Sequence, residues 1–170
     1  MNRFLIGIYA VVAMGLMLLS NCSSNSCAKV VCKVGEECYN GSCYCVNGYY
    51  GTNCDSLAYT KFVGGYNASA SCYTSGGGVF YPYINLYTSD PSKLTIDNFL
   101  GQFQITAYLR STADKRGNYI YIPEQQLGFT TTDYVQGEGN YNPATRMITF
   151  TINYRAFGQD NSCQQFWSKQ

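Results

Sequence analysis

Six cysteines stand at Cys27-x4-Cys32-x5-Cys38-x4-Cys43-x-Cys45-x8-Cys54, and this spacing constrains the chain more than any other feature. A segment this short, with few aliphatic residues, cannot bury enough apolar surface to fold on a hydrophobic core. Disulfides must hold it, which implies an oxidising compartment. Six half-cystines allow 15 connectivities, and spacing alone does not choose among them. A zinc ribbon would need paired C-x2-C knuckles, which the segment lacks.

Cys43-Tyr44-Cys45-Val46-Asn47-Gly48-Tyr49, followed by four residues and Cys54, matches the pattern C-x-C-x2-G-[FYW]-x4-C. Cys38-Tyr39-Asn40-Gly41-Ser42-Cys43 leads into it, with Asn-Gly suited to a tight hairpin turn. Residues 27–55 therefore resemble an EGF-like module. The resemblance implies the pairings Cys27–Cys38, Cys32–Cys43 and Cys45–Cys54. The calcium-binding subclass of that family carries acidic residues before its first cysteine. Ser23-Ser24-Asn25-Ser26 has no carboxylate, so neither calcium nor any other metal or cofactor is expected.

Ahead of the module, Met1-Asn2-Arg3 gives a short positive start, and Phe4 to Leu19 is apolar or small throughout. A stable membrane span needs about 20 apolar residues, so this run reads as a signal-peptide core. Leu19-Ser20-Asn21-Cys22 resembles the lipobox of bacterial lipoproteins, with Asn21 departing from the preferred Gly or Ala. That resemblance implies a signal peptide over 1–21, acylation (diacylglycerol and palmitate-type chains) of Cys22, and a tether over 22–26. Two or three acyl chains on one residue make a stable anchor, whereas single chains bind only marginally. By the sorting rule of enteric bacteria, Ser23 directs such a protein to the outer membrane; periplasmic face and cell surface both remain open.

The rest of the chain, 57–170, is read as one all-β domain. Only 12% of the sequence is charged, against roughly 25% in ordinary domains. Tyr and Gly each occur 17 times, a composition of strands and turns. Period-two alternation predicts strands over Phe103 to Arg110, Arg146 to Arg155, and around Ile120 and Ile122 and Ile84 and Leu86. Weaker candidates run over Phe62 to Ser69, Leu94 to Phe99 and Tyr134 to Tyr141. Turn signals fall at Gly76-Gly77-Gly78, Asp90-Pro91-Ser92, Lys115-Arg116-Gly117-Asn118 and Asn142-Pro143-Ala144-Thr145. Seven strands, or eight with the tail, make an antiparallel meander that must close or double over to hide its edges. A closed small barrel is expected, with a β-sandwich as the alternative. Cys72 and Cys163 remain, and a Cys72–Cys163 bridge would join neighbouring first and last strands. The nine cysteines are then accounted for as one lipidated, six in the module and two here. Phe62-Val63-Gly64-Gly65-Tyr66 resembles the F-x-G-x-[WY] opening of lipocalin-like, or calycin-type, barrels.

Candidate chemistry is sparse. The chain has no histidine, which removes Ser-His and Cys-His dyads and imidazole metal sites. Eleven Lys and Arg balance ten Asp and Glu without clustering, so no nucleic-acid partner is expected. Glu124, Asp133 and Glu138 are read as solvated positions rather than a catalytic pair, and Gly137-x-Gly139 as close packing rather than a phosphate loop. Tyr39, Tyr44 and Tyr50 in the module and Tyr108, Tyr119, Tyr121 and Tyr134 in the β domain form a candidate contact surface. Asp55-Ser56-Leu57 resembles a bacterial O-glycosylation site at Ser56. The expectation is a non-catalytic, membrane-anchored module contacting a protein or glycan; the alternative is a carrier of a small apolar ligand inside the barrel.

Overall fold

The structure is a computed structural model and describes residues 26–112, 114–128 and 131–170. Cys22 and the segment over 1–21 lie outside the described residues. The element order is β1 (Glu36–Tyr39), β2 (Ser42–Cys45), β3 (Tyr49–Tyr50), β4 (Ser56–Leu57), α1 (Tyr59–Phe62), β5 (Gly64–Cys72), β6 (Gly76–Phe80), β7 (Tyr83–Leu86), β8 (Lys93–Phe99), β9 (Phe103–Arg110), β10 (Tyr119–Gln126), β11 (Tyr134–Asn142), β12 (Met147–Ala156) and β13 (Gln159–Lys169). Disulfides join Cys27 to Cys38, Cys32 to Cys43, Cys45 to Cys54 and Cys72 to Cys163, the pairings inferred above.

In the N-terminal module β1 pairs with β2 and β3 with β4. Asn40 and Gly41, both at positive φ, make the tight turn between β1 and β2. β5 pairs antiparallel with both β6 and β7, each strand from β7 onward pairs antiparallel with the next, and β13 returns to pair with β5 from Cys163↔Cys72 to Lys169↔Tyr66. The result is a closed eight-stranded barrel. β6 and β7 together form one of its eight staves, interrupted at Tyr81-Pro82, because both pair with the same edge of β5.

Alternation puts the apolar residues inside. On β12, Ile148, Phe150, Ile152 and Tyr154 are buried while Thr149, Thr151 and Asn153 are exposed. The outer face carries polar and charged side chains such as Lys93, Gln104, Arg110 and Glu138. That is the reverse of a membrane-spanning barrel, whose outer face must be apolar. Inside, Trp167 packs against Phe150 at 4.7 Å and against Phe80, Tyr66 and Phe99 at 5.8 to 6.4 Å between ring centroids. An eight-stranded barrel is just wide enough to be filled by side chains, and this aromatic cluster fills it.

Three local expectations need correction. Phe62 opens no strand; it ends α1, which closes one end of the barrel, and its carbonyl accepts the Tyr66 hydroxyl at 2.6 Å. Gly64, at φ 136°, makes the change from helix to strand that a side chain would resist. The triple glycine is strand β6 rather than a turn, and the turn is Tyr73 to Ser75. A Cβ on Gly77 would meet the Ala70 carbonyl oxygen at 2.1 Å, so glycine here permits close strand approach. Asp133 is not solvated: it is 7% exposed, and its carboxylate accepts the Phe157 N–H at 3.1 Å, tying two loops together.

Candidate functional site

Strand direction gives the barrel two distinct ends. α1 and the turns over 87–92 and 143–146, with 111–112 and 114–118, gather at the proximal end, where the N-terminal module docks. The turns over 73–75, 100–102 and 157–158, with 127–128 and 131–133, surround the distal end.

At the proximal end the docking combines main-chain and side-chain contacts. Gly51 N–H donates to Lys115 O at 2.9 Å, Ala58 N–H to Gly48 O at 2.8 Å, and Ser111 N–H to the Asn47 side-chain oxygen at 3.0 Å. Gly48 presses on Pro91 and Gly117 on Tyr50, so closely that a Cβ on either would overlap its neighbour. Lys115 Nζ lies 2.5 Å from Glu36 Oε1, and the Glu36 side chain is only 4% exposed. The hydrogen bond from Lys115 holds the Glu36 carboxyl below the usual carboxylate range. Lys61 Nζ sits 3.6 Å over the Tyr50 ring and donates to Arg116 O and Asn118 Oδ1, and burial depresses its pKa. A cavity of about 530 Å³ at this junction is lined by Lys33, Lys61, Lys115 and Arg116, but Glu36 pairs with Lys115 and Asp114 with Arg116.

On the outer wall, cross-strand register builds a row that crosses four strands. Lys93 faces Tyr108, Tyr108 faces Tyr121, and Tyr121 faces Glu138. Lys93 Nζ stacks 4.0 Å over Tyr87, Arg110 lies 3.9 Å over Tyr121, and the Tyr119 hydroxyl donates to Glu138. Partial burial first, and then the Glu138 carboxylate, push the Tyr119 phenol up to about 12. Half-buried tyrosines with cations above their faces offer flat apolar area rimmed by hydrogen-bonding groups, a surface suited to stacking against a partner.

Of the candidate contact residues, Tyr108, Tyr119 and Tyr121 come together in this row. Tyr134 stands on the same outer wall towards the distal end, opposite Gln126 and Arg155. Tyr39 is 66% exposed and meets Tyr44 edge-on at 6.1 Å on the β1–β2 hairpin. Tyr50 is spent on the docking contact with Lys61 and Gly117. Ser56 is half-buried on β4 and its hydroxyl donates to Asp55 at 3.2 Å. Sequence reasoning missed Tyr87, Lys93, Arg110 and Glu138 as members of the row. Alternation set only Tyr87 and Arg110 opposite the apolar residues, and only the register brings all four side by side.

At the distal end a cavity of about 450 Å³ opens between β6 and the β8–β9 turn, floored by Ala70, Phe80 and Tyr154. A second, of about 870 Å³, lies beside it against Phe103, Leu127 and Phe157. Gly137 and Gly139 serve packing: a Cβ on Gly139 would meet the Phe150 ring at 2.5 Å. Cys32, Glu36 and Cys43 cluster closely enough to ligate a metal, but the two sulfurs are consumed in a disulfide and offer no thiolate. No family model matches the chain, and no curated protein matches it in sequence.

Proposed function

We propose that this chain is a non-catalytic, outer-membrane-anchored lipoprotein whose barrel is an interaction module for a protein or glycan. In this reading Cys22 carries the acyl chains, and 27–55 is an EGF-like spacer docked on a lipocalin-like barrel. The observation that carries it is the division of the aromatic residues. Trp167, Phe150, Phe99 and Tyr66 fill the interior, while Tyr87, Tyr108, Tyr119 and Tyr121 line the outer wall. A filled interior leaves the outer surface as the place to meet a partner.

The second reading, a carrier of a small apolar ligand, draws support from the distal cavities alone. Their volumes fall within the roughly 300–1,000 Å³ of ordinary ligand pockets. A ligand held there would sit at the mouth, above the aromatic cluster.

The test is Cys22→Ala in the producing cell, with acyl labelling and fractionation, followed by protease treatment of intact cells expressing the wild type. The variant is expected to lose labelling and leave the membrane fraction; retained labelling overturns the anchor. Loss of the barrel on protease treatment puts the tyrosine row outside the cell, and survival puts it in the periplasm. Binding of the partner found in that compartment is expected to fall on Tyr121→Ala; a ligand extracted from the mouth, with binding untouched by Tyr121→Ala, favours the carrier.

A further inference from the structure

In the described part of the barrel wall, β6 leaves an edge open. Tyr73 N–H donates to Ser162 O and Gln170 N–H to Gly65 O, so the odd-numbered residues of β5 turn their main chain towards β13. Tyr66 N–H donates to Pro82 O, so the even-numbered ones face β6 and β7. With Ala70↔Gly78 and Ala68↔Phe80 in register, Gly77, Val79 and Tyr81 direct their main-chain groups away from β5. On that outer side β8 pairs only with β7, as far as Tyr83↔Asp97. Asn98 and Leu100 then take positive φ in the β8–β9 turn, and β8 makes no pair with β6. Tyr81 O accepts from the Asn98 side chain and Gly77 N–H turns back to Ser75 O. The Gly77 carbonyl, both main-chain groups of Val79 and the Tyr81 N–H have no partner among the described residues.

Natural proteins blunt open edges with charge, and this one does not. The sequence from 62 to 89 contains no Asp, Glu, Lys or Arg. Instead Tyr73, Val79 and Tyr81 flank the edge at 95%, 69% and 61% exposure. The cavity of about 450 Å³ beneath the edge is bounded by β6 on one side and by Leu100 to Phe103 on the other, and none of its lining residues is charged.

We propose that the edge of β6 and this cleft form a strand-docking site for an extended, uncharged segment of a partner protein. Its main chain pairs with Gly77 to Tyr81, and an apolar side chain enters over Phe80 and Tyr154. A free ladder of N–H and C=O groups is complemented by another backbone, and a cleft without charged groups disfavours any charged side chain entering it. The far wall decides against a second copy of this chain. A cleft of about 450 Å³ walled on its far side by Leu100 to Phe103 has room for a single chain segment and not for the wall of a second barrel. The proposal rests on the reading of the barrel as an interaction module, but at a site separate from the tyrosine row.

The test pans a displayed random heptapeptide library against the full chain, with Val79→Pro as counter-target. Proline at 79 removes an N–H that points away from β5, so the β5 ladder survives. Expected are enriched peptides without charge and with alternating apolar residues. Their affinity should fall about tenfold or more on Val79→Pro, on Val79→Lys, and on N-methylation of the peptide. Amide exchange at Val79 and Tyr81 should slow when peptide is bound. No enrichment, enrichment of charged sequences, or binding indifferent to both Val79 variants overturns the site. Peptides lost on Tyr121→Ala but kept on both Val79 variants overturn it while leaving the interaction module standing. Sedimentation showing self-association that protects Val79 overturns the partner peptide in favour of a second copy.

Discussion

Tyr119 and Glu138 show how one side-chain pair ties chemistry to surface shape. The phenol donates to the carboxylate across the β10–β11 pair, beside the Arg110–Tyr121 stack. Partial burial, then the hydrogen bond and charge of Glu138, hold the phenol neutral up to about 12 against an ordinary value near 10. Because the folded value is raised, the contribution of this group is complete below the ordinary phenol range and is lost as pH climbs towards 12. Glu138→Gln removes the carboxylate while burial stays. The Tyr119 ring, followed by NMR, is expected to titrate between the ordinary value and that of the wild type, and an unchanged midpoint would show that burial alone sets it. The outward position of Tyr119 was legible from alternation, whereas its partner was not, since Tyr119 and Glu138 are 19 residues apart and meet only through register. Trp167 and Gln165 went equally unremarked. A polar run at the C-terminus gives little sign that Trp167 will donate at 3.0 Å to a fully buried glutamine at the barrel's centre.

Strands rich in β-branched and aromatic residues announced themselves, as Met147–Ala156 and Phe103–Arg110 do, because pattern and propensity agree there. The tail, Gln159–Lys169, was legible mainly through Cys163; its inward positions include Asn161 and Gln165, so hydrophobic alternation is faint. The glycines of β6 misled for a physical reason. Their value is close backbone approach to β5, and composition cannot separate that from a turn. Barrel closure was inferred from two cysteines, and the geometry explains why that worked. Cys72 and Cys163 are a directly opposed pair outside the hydrogen-bonded rungs, with Cα atoms 4.1 Å apart, the narrow spacing of such positions. The bridge spans 91 residues and so constrains the unfolded chain strongly. Replacing both cysteines by alanine is expected to cost up to about 4 to 5 kcal/mol on the loop-entropy model. Denaturant unfolding of the variant measures this, with far-UV circular dichroism of the native state unchanged. A loss below about 1 kcal/mol would mean that residual structure in the unfolded chain already holds these segments close without the bridge.

The module and the barrel join as one body through the proximal turns, which gives the molecule a direction. Docking was not legible in the sequence. Nothing in the spacing of Glu36 and Lys115, 79 residues apart, marks them as partners, and Tyr50 read as surface although it is packed under Lys61. With the chain anchored at its N-terminus, as proposed, rigid docking holds the distal mouth and the β6 edge on the side away from the module. The Glu36–Lys115 pair is the ionisable part of that joint. The Glu36 carboxyl titrates below its ordinary value, so its contribution is complete above the ordinary carboxylate range and is lost as pH falls through the lowered folded value. The joint should therefore loosen on acidification while the module, held by three disulfides, stays folded. Amide exchange reports it directly, because Gly51 N–H donates to the carbonyl of Lys115 itself. Corrected for the intrinsic pH dependence of exchange, protection of Gly51 and Ser111 is expected to fall in acid, with the barrel strands unaffected. Glu36→Gln should bring the same loss to neutral pH. If Gly51 keeps its protection in both cases, the backbone bonds and the Tyr50 contact hold the joint without the ion pair.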